Sequence, residues 1–278
     1  MYLLPLEEEL WEKFSGAYGN ICEEITLLLG NPEDVPPQEK IRWMDEEEKD
    51  NYTILFENVC DELWHQLSFY EATYPAMPYF LKLLEKKEQE EDFMGQLMVI
   101  SAMGVILATD VTGNPRNIEI VPQEMLDAYA ETITILKEKI KKFYQAYKEE
   151  IKDIEDNEKI EFPIAMVSVL GDRELSYHLS CGIMEDVLLY CTDCDREDED
   201  NTLENPDFCA KIVPAPLPNW DGKSFADTYT WLYGVLSEIG MEQWKEYLPY
   251  YYGTYTCPEC GAEKRIWDFI RAYYFEMD

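Results

Sequence analysis

Four cysteines carry the clearest chemistry in this chain. They fall into two C-x-x-C pairs, Cys191 with Cys194 in LLYCTDC and Cys257 with Cys260 in TYTCPECGAE. Two thiolates separated by two residues can point at one metal ion when a tight turn carries the second back towards the first, and the turn's backbone N–H groups can then bond to sulfur. Two such knuckles complete a tetrahedral Cys₄ shell, which leaves no open position for water or substrate. The expectation is one structural zinc ion per chain. Gly261, just after the second pair, suits the positive-φ step that a knuckle needs, and Asp195 stands at the matching place in the first. Thioredoxin-type redox work is disfavoured, because neither pair opens a helix after a strand in a βαβ unit.

The elements that must deliver these thiols are short and β-prone. Val187 to Tyr190 runs straight into Cys191, and Tyr250 to Tyr255 leads up to Cys257. The gap between the two pairs is longer than the ~15 to 20 residues of an ordinary zinc ribbon, which implies an inserted element. A helix from Ser224, as N-cap, to near Gly240 is the expected insertion. The acidic run Asp193 to Asp200 lacks the glycine and terminal glutamate of a calcium loop and reads as a solvated loop.

The first two-thirds of the chain read as helices joined by short connectors. Leu6 to Tyr18 and Cys22 to Leu29 flank Gly19-Asn20. Asp50 to Gln66 keeps a face of Ile54, Leu55, Val59 and Leu63, and Pro75 to Glu88 one of Met77, Phe80, Leu81 and Leu84. Asp92 to Ala108 is apolar enough to be buried between neighbours. From Pro122 to Ile154 a heptad stripe of Leu126, Ile133, Ile140 and Tyr147, with Tyr129, Leu136 and Phe143 in the second seam, predicts one long helix. Gly113-Asn114-Pro115 reads as a turn, and after Glu161 the character of the chain changes.

Within this helical region the run ELWHQLSFYEATYPAMPYFLKLL, from Glu62 to Leu84, closely resembles the helix-turn-helix segment of bacterial HEAT-like repeat proteins of the PBS-lyase-HEAT-like group. The matching positions are Leu63, Trp64, His65, Gln66, Ala72, Thr73, Tyr74, Pro75, Ala76, Pro78, Phe80, Leu81 and Leu84. The signature spans a small part of the chain, and no repeat of fixed length follows Gly113. The resemblance implies an all-α fold, a HEAT-like α-solenoid of antiparallel helix pairs over residues 1–185, with a zinc-ribbon-like region and its inserted helix over 186–278. It brings a binding scaffold and no catalytic residues. Some proteins similar to this are immunity partners of bacterial toxins.

Composition narrows the partners. The 278 residues include 23 Lys and Arg against 58 Asp and Glu, a net charge of −35. Such a field repels DNA, RNA and anionic lipid and favours basic proteins. The start, MYLLPLEEEL, has no basic region and does not read as an export signal, so reduced thiols in a cytoplasmic protein are expected, and no window is apolar enough for a membrane span. The two histidines have bland readings: His65 orients the loop of the helical match, and His178, near Cys181, is a buried polar residue. Cys22, Cys60 and Cys209 read as small core residues. The functional expectation is a non-enzymatic acidic binding protein with a basic protein partner, including an immunity-type role. The alternatives are an enzyme or enzyme subunit with an unrecognised site, and a structural adaptor whose charge serves solubility.

Overall fold

The computed structural model describes residues 1–38, 49–65, 68–110, 118–155, 159–180 and 187–275. The turn expected at Gly113-Asn114-Pro115, Gln66, Cys181 and the side chain of His178 lie outside the described residues. The chain is mostly helical: 60% of the described residues are helix, in 12 α-helices, with three small antiparallel sheets. A solenoid is not shown among them. No helix among them is long and apolar enough to cross a membrane. The chain folds as two compact units, Met1–Ala146 and Tyr147–Asp278.

In the first unit, α1 (Glu8–Trp11) is shorter than the helix expected from Leu6 to Tyr18. Further along, Glu62 holds the backbone: its carbonyl accepts from Ala17 at 2.8 Å and its Oε2 accepts from Tyr18 at 2.7 Å and Gly19 at 3.2 Å. Gly16 allows that approach, since a Cβ there would meet the Glu62 carbonyl oxygen at 2.8 Å. Helix α2 (Cys22–Leu29) and α3 (Asn51–Leu63) follow, the latter capped by Asp50 Oδ1 accepting from Thr53 N–H at 2.9 Å, which satisfies one of the free first-turn donors.

A two-residue hairpin, β1 (Trp64–His65) with β2 (Ser68–Phe69), leads into α4 (Thr73–Gln89). The main partner of α4 is α5 (Phe93–Thr109), joined to it by three residues as a helical hairpin; α3 reaches α4 at the Phe56–Phe80 ring contact, 5.6 Å between centroids. The pairing of α3 with α4 expected from the resemblance is therefore not the packing found: α4 packs chiefly on α5, and α3 on α2. Gly95 leaves room for the Asp92 carboxylate that caps α5 and accepts from the Gly95 N–H at 2.9 Å, since a Cβ there would overlap that carboxylate. Helix α5 is buried on most sides, as its lack of a polar face implies.

The long helix α6 (Gln123–Lys152) buries Tyr129, Leu136, Ile140 and Phe143, while Leu126 and Ile133 of the expected stripe are half-buried. Phe143 stacks on Phe93 at 5.7 Å. Tyr147, at φ −126° and ψ 15°, interrupts the helix at the unit boundary.

The second unit takes in the end of α6 from Tyr147 and continues with α7 (Glu161–Leu170) and α8 (Arg173–Ser180), then the hairpin of β3 (Val187–Cys191) and β4 (Arg196–Asn201). The acidic run read as a solvated loop is therefore partly strand, its backbone satisfied by pairing to β3 while its carboxylates keep it charged. After α9 (Pro206–Cys209), β5 (Ile212–Val213) forms the edge of the sheet β5-β6-β7. Helix α10 (Thr228–Glu238) starts three residues later than expected, with Asp227 and not Ser224 as N-cap. Ser224 is held in a turn in which Asp221 Oδ1 accepts from the N–H groups of Lys223 and Ser224 at 2.9 and 2.8 Å.

Helix α11 (Glu242–Tyr251) takes up Tyr250 and Tyr251, which the sequence reading placed in a β-prone run. The chain reverses at Gly253, where a Cβ would meet the Val213 carbonyl oxygen at 2.6 Å, and β6 (Thr254–Thr256) begins beyond it. Strand β7 (Glu263–Arg265) then runs straight into α12 (Ile266–Phe275), which packs along β3.

Candidate metal centre

Strand β3 alternates buried and half-buried residues, so that Val187, Leu189 and Cys191 share the inward face. Cys191 ends the strand and pairs with Arg196 at the start of β4, which closes a four-residue turn. Within that turn the Cys194 N–H donates to the Cys191 carbonyl at 3.3 Å. Asp195 takes the positive φ that the reversal needs, at 55°, and its Oδ1 accepts from the Tyr190 hydroxyl at 2.8 Å. Aspartate is among the residues that tolerate this conformation, which is why glycine is dispensable there.

The second knuckle repeats the arrangement. The Cys257 N–H donates to the Ala262 carbonyl at 2.8 Å, closing a turn of the same length. Gly261, the residue just after the second cysteine as Asp195 is, stands at φ 76°, and its N–H donates to the Cys257 carbonyl at 2.9 Å.

The two knuckles bring four sulfurs together. Cys191 Sγ lies 3.6 Å from Cys260 Sγ and Cys194 Sγ 3.7 Å from Cys257 Sγ, and all four lie within 4.8 Å of one another. A tetrahedron of metal–sulfur bonds of ~2.3 Å has an edge of ~3.8 Å, so the two short separations match a shared ion. They are too long for a disulfide, whose sulfurs bond at ~2.05 Å, and all four cysteines are free.

The protons on this set are unevenly held. Burial, and then the hydrogen bond shared with Cys260, push the Cys194 thiol up to about 12. Burial also raises Cys191. Burial acts against ionisation of Cys257 too, but the N–H groups of Cys260 and Glu259 and the thiols of Cys191 and Cys260 donate to its sulfur and bring it down to about 7. N–H donors aimed at sulfur are the features expected around a metal thiolate.

Two cations tie each knuckle to the other. Lys264, on β7, donates from Nζ to Thr192 Oγ1 and Asp193 Oδ1 in the first turn, both at 2.9 Å. Arg196, on β4, approaches Glu259 in the second turn at 3.8 Å. Behind them the Tyr255 and Phe269 rings meet edge to face at 5.4 Å, and the Tyr255 hydroxyl donates to Asp198 Oδ2 at 3.4 Å. Since Phe269 belongs to α12 and α12 packs on β3, the strand of one knuckle and the helix following the other form one apolar support.

The structure thus gathers Cys191, Cys194, Cys257 and Cys260 into one site that could hold a metal ion. The other described cysteines lie apart from it: Cys22 is buried, and Cys60 and Cys209 are half-buried. His65 pairs with Tyr18, whose hydroxyl lies 3.0 Å from Nε2, as fits a loop-orienting role. Sequence reasoning missed Lys264 and Arg196; the signal available was a basic residue in each hairpin beside an acidic residue in the other's turn. No family model, curated protein or solved structure matches the chain, so the comparisons do not identify a HEAT-like family.

Proposed function

We propose that Cys191, Cys194, Cys257 and Cys260 hold one structural zinc ion, and that the chain is a non-enzymatic, strongly acidic protein that binds a basic protein partner. The observation that supports the metal is the sulfur geometry, with two separations near the tetrahedral edge and backbone donors on the thiols. Zinc is the preferred ion because four thiolates in two knuckles favour tetrahedral sulfur coordination and close it to substrate. The ion's task is then to fix the β3–β4 hairpin to the β6–β7 hairpin and so fold the second unit. Reduced thiols in such a site agree with a cytoplasmic location.

The partner reading is supported by the charge of −35. A field of that size accelerates encounter with cationic surfaces and repels nucleic acid. A toxin with a basic substrate-binding face is one partner of the required chemistry. Capture of basic proteins from lysate, followed by measurement of association rates at low and physiological salt, tests the reading. Fast association that slows steeply with salt supports it. Captured proteins no more basic than the lysate average, or rates indifferent to salt, refute it.

A further inference from the structure

Away from the cysteines, the second unit carries an open groove of about 860 Å³. Its lining is aliphatic at Leu203, Ile212 and Leu217 and aromatic at Tyr233, Tyr247 and Tyr250. Leu217 is 70% exposed, as is the adjoining Val213, and these two are the most exposed large apolar side chains among the described residues. Apolar surface left open at one place on a highly charged protein marks a contact site. Pro206, Pro214 and Pro249, with their fixed φ, stiffen the same walls.

The charge around the groove is one-sided. Glu204 and Glu246 line it, and both are exposed. Glu204 accepts from the neutral amide of Gln243 at 3.1 Å. Lys245, also in the lining, is already balanced by Glu242, with Nζ 2.6 Å from Oε2, and its ammonium lies 5.7 Å from the centre of the Tyr233 ring. An incoming cation therefore meets two carboxylates and no uncompensated positive charge in that lining.

We infer that this groove docks an extended segment of a basic protein. The segment lays apolar side chains against Tyr233, Tyr247 and Tyr250 and sets a lysine or arginine against Glu204 and Glu246. The inference rests on the reading of the chain as a binder of a basic partner, and adds where and how that partner is held. Tyrosines supply large, rigid contact area at small entropic cost, and aromatic-lined grooves are a recurrent means of holding extended peptides. Side chains must do the recognition. The edge strand β5 is only Ile212–Val213, Pro214 has no N–H to offer, and the Ala215 N–H is spent on the Pro249 carbonyl at 2.8 Å. A second copy of the chain is the poorer occupant, because it brings a further −35 to the same face.

The test uses the full chain. Random short peptides displayed on phage are selected against it at low and physiological salt, and a selected peptide is labelled for anisotropy titration of wild type, Leu217→Glu and Glu246→Lys. Leu217 is exposed, so its variant should keep its circular dichroism and metal content. The expected selection is rich in Lys or Arg together with Leu, Pro or aromatic residues. Leu217→Glu should weaken binding about tenfold, and Glu246→Lys should weaken it and flatten the salt dependence. Equal binding to all three proteins overturns the groove and leaves the basic-partner reading standing. Selected peptides without basic excess that still lose affinity in Leu217→Glu overturn the charge assignment and count against that wider reading. A wild-type dimer that Leu217→Glu dissociates puts a second copy in the groove and overturns the inference. Retention of no peptide overturns it as well, while the lysate capture tests the wider reading independently.

Discussion

The Sγ atoms of Cys191 and Cys260 lie 3.6 Å apart although 69 positions separate them in the chain. Nothing local to either knuckle produces that approach. It follows from β7 running directly into α12 and from α12 packing along β3, so that the second knuckle is carried to the end of the first knuckle's strand.

The first prediction concerns the ligands. Cys191→Ser or Cys257→Ser should lower bound zinc from about one per chain to well below stoichiometric and destabilise the second unit, since the free energy of metal binding is coupled to folding. Metal analysis with thermal denaturation of each variant checks this. Full occupancy with unchanged stability would be the opposite outcome.

A second prediction separates the two turn residues. Gly261→Val forces a β-branched side chain to φ 76°, at a cost of about 1–3 kcal/mol, whereas Asp195→Gly places the most permissive residue at φ 55°. The valine variant should lose Tm and metal affinity. The glycine variant should hold metal as wild type does, less the small contribution of the Tyr190 hydrogen bond. Parallel melting curves and metal titrations decide it.

Lys264 should matter to the metal without touching it. Its ammonium bonds Asp193 and Thr192, Asp193 raises its pKa, and Cys191 and Cys260 add to that rise. Lys264→Met removes the positive charge facing the thiolates and unties the first turn, and should weaken metal binding about 10- to 100-fold. Competition against a chelator of known affinity measures the loss, and Lys264→Arg should restore part of it.

Protons compete with the metal for sulfur. In the metal-free site Cys194 is pushed up to about 12 and so keeps its proton at neutral pH, whereas Cys257, down to about 7, is the readiest thiolate. Binding therefore expels protons, and affinity should rise with pH and fall on acidification. A chelator titration repeated from about pH 8 down to about pH 5 should show progressively weaker retention, with protons released on metal addition. Affinity independent of pH would contradict thiolate ligation.

Much of the metal site was legible because its signal is local. Each C-x-x-C sits within one tight turn, so residue type and spacing name all four clustered cysteines and even the positive-φ positions Asp195 and Gly261. The cross-links through Lys264 and Arg196 depend on how two distant hairpins meet, which no local pattern records. Helices with a clear apolar face or stripe, such as α3 with Ile54, Leu55, Val59 and Leu63 and α6 around Leu136, were also readable. Tyr250 and Tyr251 misled because aromatic residues favour strands until a partner surface decides, and here the chain turns only at Gly253. The helix expected to run to Tyr18 stops at Trp11, and Ala17 and Tyr18 bond instead to Glu62, far along the chain.

The central claim is that the four cysteines share one ion, and X-ray absorption at the zinc edge on the purified full chain tests it most directly. The account predicts about one zinc per chain with four sulfur neighbours at ~2.3 Å and no nitrogen or oxygen in the shell. A shell containing nitrogen or oxygen, or a protein that binds no metal and forms a disulfide between Cys191 and Cys260 instead, would contradict it.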